Sequence, residues 1–132
     1  MNIKSIVEKL KNREDDLGRL KLDIMRVLTI FNGVLWESEI ISDIVKVHNY
    51  VMDYVPSEDS LKKALKELKK EGVITIEERE RGSTFSSETY KDRLIKLSNL
   101  RDAKIALMSD SVYRKYMARK MEMIRRALEE RY

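Results

Sequence analysis

The side chains best suited to chemistry lie between Ser57 and Lys70. If this stretch is helical, the face opposite Leu61, Leu65 and Leu68 carries Asp59, Lys63, Lys66 and Lys70, with Lys62 beside them. Ammonium groups neutralise phosphates, so an exposed face of this kind suits a polyanion such as double-stranded DNA. Lysines act as point charges, however, and read base edges less well than arginines. Asp59 projects near the helix start, where it either accepts from a cytosine amino group or repels phosphate. Ser57 and Ser60 suit phosphate or base contacts. A second basic set, Arg79, Arg81, Lys91 and Arg93, has the chemistry to grip phosphates or reach a minor groove, diluted by Glu77, Glu78 and Glu80. The competing reading of the lysine face is a solvated amphipathic helix with pairs such as Lys63–Glu67.

Other chemistry finds little material. One histidine and no cysteine leave no basis for a Ser-His-Asp or Cys-His arrangement, and His48 reads as a structural residue on an apolar helix face. The four glycines are scattered and form no phosphate-cradling loop. The carboxylates sit among lysines and read as solvated surface. The expectation is a protein that is not an enzyme, with no metal and no cofactor.

Absence of cysteine also excludes disulfides. No run of about 18 apolar residues occurs that would span a membrane, and MNIKSIVEKLKNRE lacks the apolar centre of a secretion signal. The expected location is cytoplasmic. Charged residues make up 38% of the chain and glutamine is absent, a composition common in thermophile proteins. The net charge of +4 is uneven: residues 1–56 hold 8 basic and 9 acidic groups, residues 57–97 hold 10 and 9, and residues 98–132 hold 9 and 5. The excess lies at the C-terminal end, away from the lysine helix.

The elements that must position these residues follow from periodicity. Ile3, Ile6, Val7 and Leu10 define an amphipathic helix of about three turns, too short to stand alone, which must pack on the core or on a second subunit. A second helix runs from about Leu17 to Asn32, capped by Asp15 or Asp16 and ended by Gly33. Its stripe of Leu17, Leu20, Ile24, Leu28 and Phe31 is widened by Leu22, Met25 and Ile30, which implies burial on more than one side. Val34-Leu35-Trp36 suits a short edge strand. Another helix begins near Glu37, sets Ile40, Ile44, Val47 or His48, and Val51 on one face, and ends before Tyr54.

The lysine helix itself has clear boundaries. Pro56 biases Val55 to an extended backbone, Ser57 offers an N-cap, and Glu58 and Asp59 favour the first turn. Leu61, Ala64, Leu65 and Leu68 form its apolar stripe. Lys69 and Lys70 occupy the last turn, and Gly72 stands where a left-handed C-cap belongs. Val73-Ile74-Thr75-Ile76 opens a strand reaching about Glu80. Arg81-Gly82-Ser83-Thr84 reads as a turn, small polar residues continue to Thr89, and Tyr90 to Leu97 returns as a strand with Ile95 and Leu97 on one face.

Beyond Ser98 the chain has neither proline nor glycine. Asn99 caps a helix, with Asp102 three residues on, and Ser109-Asp110-Ser111 marks a kink or a second cap. Tyr113, Met117, Met121, Ile124 and Leu128 then recur at spacings of 4, 4, 3 and 4, a near-heptad stripe suited to packing on a second copy or on the N-terminal helix, with dimerisation the expected role. Arg114, Lys115, Arg119, Lys120, Arg125 and Arg126 accompany it, either flanking DNA or solvated.

The pattern Leu65-x-x-Leu68-x-x-x-Gly72-Val73-Ile74, within residues 17–97, resembles the third helix and first wing strand of winged helix-turn-helix DNA-binding proteins. The predicted fold class is therefore mainly α with a small β-hairpin wing: an N-terminal helix over residues 1–14, a winged-helix domain over 15–97 and a helical dimerisation segment over 98–132. A core followed by such a segment is similar to PadR-like and MarR-like transcriptional regulators. The chain departs from the PadR pattern at Trp36-Glu37-Ser38-Glu39-Ile40, where that family usually has a Gly-Tyr pair before the isoleucine. The resemblance implies a homodimeric, sequence-specific regulator that places helix 57–71 in the major groove and the wing on the backbone or minor groove. It also implies that a small-molecule effector pocket could lie near Trp36 or Tyr113, for which core packing is the alternative role. Two competitors stay open: a winged-helix protein-interaction subunit of a larger assembly, and a non-specific architectural DNA binder using the basic C-terminal helix.

Overall fold

Four helices and a short strand lead to a hairpin, and two more helices close the chain. The computed structural model describes residues 2–83, 85 and 87–130. Helix α1 spans Ile3–Lys11, where the Asn2 side chain accepts from the Ser5 N–H at 2.8 Å. Its stripe of Ile3, Ile6, Val7 and Leu10 is buried against the helices over Asp16–Ile30 and Leu100–Leu107, which resolves where this short helix packs.

Helix α2 (Asp16–Ile30) is buried nearly all round, as its widened apolar stripe required, and forms the spine of the domain. Asp15 occupies its N-cap position, but the carboxylate makes no capping bond; Arg13 takes it instead, at 2.8 and 2.5 Å. The helix also stops two residues earlier than its periodicity suggests. Asn32 and Gly33 both adopt positive φ (62° and 88°), and the Gly33 N–H closes the end onto the Leu28 carbonyl.

Strand β1 (Val34–Trp36) leads directly into α3 (Glu37–Val47). The sequence pattern carried α3 toward Tyr54, yet it ends at Val47, and Val51 is exposed rather than on its buried face. Asn49 and Tyr50 turn left-handed (φ 55° and 63°), and the Tyr50 N–H bonds back to the Val45 carbonyl, which terminates the helix. His48 is thus the C-cap residue of α3, and its ring faces polar groups rather than an apolar surface.

Helix α4 (Glu58–Lys70) follows the expected design. Ser57 caps it through the Ser60 N–H at 3.1 Å, and Leu61, Ala64, Leu65 and Leu68 are buried against α2 and the first hairpin strand. Gly72 (φ 78°) ends it, with the Val73 N–H donating to the Leu68 carbonyl at 3.0 Å. Leu65 is fully buried, so truncation to alanine there would cost about 2–5 kcal/mol.

Strands β2 (Ile74–Gly82) and β3 (Thr89–Leu97) form the hairpin. The sheet order is β1-β3-β2, antiparallel throughout, with Ile95 facing Leu35 on one side and Ile76 on the other. Ile95 is wholly buried, and the outer rungs of the hairpin are exposed. Arg81 and Gly82 belong to β2, opposite Tyr90 and Thr89, rather than to the expected turn. Cross-strand pairing simply continues farther than the β-branched run foretold. Thr84, the last residue of that expected turn, lies outside the described residues.

Helix α5 (Leu100–Leu107) starts at Asn99, whose side chain accepts from the Asp102 N–H, and α6 (Ser111–Glu129) starts at Asp110, which accepts from the Tyr113 N–H at 2.9 Å. Of the two readings of Ser109-Asp110-Ser111, the structure shows a second cap. The order α2, β1, α3, α4, β2, β3 with a three-stranded sheet is the winged-helix fold, here extended by α1, α5 and α6.

Candidate nucleic-acid interface

Burial of the leucine face of α4 dictates what its other face presents. Lys62, Lys63, Lys66, Lys69 and Lys70 are all exposed. Among the described residues none of the five makes an ion pair or hydrogen bond. Asp59 is exposed and also has no such partner among the described residues. At the helix start the Ser57 hydroxyl is engaged twice, as the cap acceptor and as a donor to Ser60 Oγ at 3.0 Å.

Between α4 and the hairpin lies an open groove of about 580 Å³. Lys62, Lys66 and Lys69 line its helical wall, and Ile76 and Lys91 line its sheet side. Glu37, Glu78, Asp92 and Arg93 complete it. A smaller pocket of about 150 Å³ adjoins it, sharing Glu37, Lys62 and Asp92 and adding Glu58. The structure therefore gathers Lys62, Lys66, Lys91 and Arg93 of the candidate set around one concavity. Ser57, Asp59, Ser60, Lys63, Lys70, Arg79 and Arg81 stand outside its lining.

Lys69 joins the groove although its sequence position suggested only a last-turn cation. Its spacing of 3 from Lys66 and 7 from Lys62 marks one helical stripe, the signal by which it could have been found.

The hairpin arginines are occupied within the fold. Arg93 forms two hydrogen bonds of 2.6 Å each with the Glu37 carboxylate on α3. Arg81 stacks on Trp36, its guanidinium carbon 4.5 Å from the ring centroid, and binds Asp92 at 3.0 Å and Glu39 at 3.3 Å. Arg79 pairs with Glu77 at 2.7 Å and is more exposed. Burial pushes the Asp92 carboxyl up, but hydrogen bonds from Ser38 and Arg81 outweigh it and hold its pKa below the ordinary carboxylate range. The Glu37 carboxylate raises the Arg93 pKa in turn. Lys91 is exposed and makes no ion pair or hydrogen bond among the described residues.

The C-terminal stripe divides in two. Tyr113 and Met117 are half-buried against the core together with Tyr116, whereas Met121, Ile124 and Leu128 are 61%, 45% and 51% exposed. Arg119 donates to the Val47 carbonyl at 3.1 Å, tying α6 to the end of α3. Arg125 and Arg126 pair along the helix with Glu122, and Arg125 also with Glu129.

One face of Trp36 is covered by Arg81, and Tyr113 packs against the core. A different cavity, of about 340 Å³, opens where α1 and α2 meet the α3–α4 connection, between Leu10, Leu22, Met52 and Tyr54. Its floor is a polar network. His48 Nε2 lies 2.7 Å from Asp23 Oδ1, the same oxygen accepts from Arg26 at 2.8 Å, and Arg26 reaches on to Asp110. Among the described residues no group of three or more histidine, aspartate or glutamate side chains is arranged to hold a metal ion, and no helix is long and apolar enough to cross a membrane.

No protein-family model matches the chain, and no curated protein matches it. Among solved structures it is similar to the circadian clock associated protein Pex from Anabaena, at 17% identity and a TM-score of 0.49, over 92% of this chain and 99% of that one. The winged-helix assignment rests on the element order and sheet register given above.

Proposed function

We propose that this protein is a non-enzymatic, cytoplasmic, sequence-specific DNA-binding transcriptional regulator that acts as a homodimer. The observation that carries the reading is the exposed face of α4, where five lysines stand without ion-pair or hydrogen-bond partners among the described residues, beside an open groove. Keeping so many like charges together on one side of a short helix opposes folding slightly. A polyanion removes that repulsion, and phosphate neutralisation supplies most of the affinity. A winged-helix domain presents this helix to the major groove, where Asp59 is placed to accept from a cytosine amino group. The exposed half of α6, with Met121, Ile124 and Leu128, offers an apolar face to a second copy.

A second reading, a protein-interaction subunit, draws support from the internal pairing of Arg81 and Arg93, which removes the best phosphate ligands from the hairpin. Selection of bound duplexes from a random pool at two salt concentrations separates the two. A regulator enriches one sequence and prefers it by about 10³-fold or more over random duplex. Failure to bind any duplex at low salt would favour the interaction subunit.

A further inference from the structure

We infer that the groove between α4 and the hairpin is the seat of one sugar-phosphate strand, held by Lys62, Lys66, Lys69 and Lys91, and that Arg81 and Arg93 serve it indirectly by cancelling the carboxylates in its wall. The inference rests on the DNA-binding reading and assigns the residues that reading leaves open.

Charge in the groove supports it. Of the carboxylates lining the groove, Glu37 is taken by both arms of Arg93 and Asp92 by Arg81 and Ser38. What remains unpaired among the described residues is four ammonium groups against the single carboxylate of Glu78. The lysines come from both walls, Lys62, Lys66 and Lys69 along about two turns of α4 and Lys91 from β3. That is a linear track of point charges, which suits a strand bearing one phosphate per ~3.4 Å of duplex axis. Compact, strongly hydrated ammonium groups grip phosphate without demanding the planar geometry that a guanidinium fork imposes. The planar forks are spent instead on the planar carboxylates of Glu37 and Asp92, the match they suit best.

Two residues distinguish this arrangement from a helix face acting alone. Lys91 lies on the hairpin, and Glu78, opposite Arg93 in the strand register, is the groove-lining carboxylate that makes no ion pair or hydrogen bond among the described residues. Each lysine that meets a phosphate contributes about 0.9 to the slope of log affinity against log salt concentration.

The test is fluorescence anisotropy with a random-sequence duplex across a salt series. Lys69→Ala and Lys91→Ala should each make the slope shallower by about 0.9, and the quadruple alanine variant of the four lysines by about 3 to 4. Glu78→Gln should tighten binding several-fold. The double variant Arg93→Met with Glu37→Gln, which removes the pair together, should leave the slope unchanged. Loss of slope in that double variant, with none in Lys69→Ala and Lys91→Ala, would overturn the assignment while leaving DNA binding intact. Wild-type protein that binds no duplex at low salt sinks the DNA reading itself. Poly-glutamate bound as tightly as duplex, with the same dependence on the four lysines, would overturn the choice of a nucleic-acid strand in favour of an acidic protein.

Discussion

Arg26 and Asp110, 84 positions apart in the chain, meet through two hydrogen bonds of 2.8 Å each. Their side chains are only 11% and 5% exposed. Asp110 also caps α6 through the Tyr113 N–H, so one carboxylate both starts the C-terminal helix and fastens it to α2. Breaking a buried pair outright costs about 3–5 kcal/mol, but Arg26 keeps Asp23 as a second partner when Asp110 is lost. Urea unfolding should therefore show Asp110→Ala destabilised, by less than that figure. Asp110→Asn should cost less because it still accepts from Tyr113, and Arg26→Met combined with Asp110→Asn should recover part of the loss. Equal stability of Asp110→Ala and wild type would show that the pair does not fasten the helix.

The same carboxylate fixes a pH dependence. Burial pushes the Asp110 pKa up, but hydrogen bonds from Arg26 and the Tyr113 N–H outweigh it, leaving the pKa below its ordinary 3.8. A group whose pKa is depressed on folding contributes its full stabilisation above the unfolded value and loses it as pH falls through the folded one. The wild-type protein should therefore lose stability on acidification below about pH 4, and Asp110→Asn should lose less over the same interval. Parallel unfolding curves for the two from pH 5 down would contradict this.

Gly72 can be tested in isolation. Its φ is +78° and a Cβ there would meet nothing within 4 Å, so the whole cost of a side chain is backbone strain. Gly72→Ala should destabilise by about 1–2 kcal/mol. Gly72→Asn should destabilise by less, because asparagine tolerates the left-handed region. Calorimetry of the two variants checks the order.

Trp36 is the sole tryptophan and lies under the Arg81 guanidinium. Arg81→Met should shift its fluorescence, because the cation no longer lies over the ring. An unchanged spectrum would mean that the cation is not held over the ring in solution.

For the proposed dimer, Met121→Asp with Ile124→Asp should yield a monomer near 15.6 kDa by light scattering, without lowering the melting temperature of the core. Both residues lie on the part of α6 that the core leaves exposed. A wild-type chain that is itself monomeric at micromolar concentration would end the homodimer proposal.

Much of the fold was legible because it depends on local repetition. The stripe Leu61, Ala64, Leu65 and Leu68, the Ser57 cap and the Gly72 stop each act within a few residues, and all three stand where the periodicity put them. The end of α3 was hidden because Tyr50, which no propensity marks as left-handed, turns the chain there. The Asp110–Arg26 pair was hidden for a different reason. Which arginine a capping aspartate meets depends on how α6 lies on α2, and no local pattern encodes that. The arginines of the hairpin pose the same problem, since Arg81 meets Asp92 only once β2 pairs with β3, and Glu37 and Glu39 join them only once the sheet packs beside α3. Lys69 is the opposite case. Its spacing was visible, but that its stripe faces the hairpin depends on the placement of β2.

The divided stripe of α6 has a mechanical consequence. Its 19 residues make a rod about 28 Å long, held over its first half by Asp110, Tyr113, Met117 and Arg119 and bare beyond. The free half is a lever of about 15 Å, and a tilt of about 10° at its root displaces the tip by about 3 Å. In a dimer joined through that tip, the distance between two α4 helices would be set by a few contacts at the pivot: Arg26 to Asp110, and Arg119 to the Val47 carbonyl at the end of α3. The half-site spacing on DNA would then be tuned at a joint that touches neither the duplex nor the partner subunit.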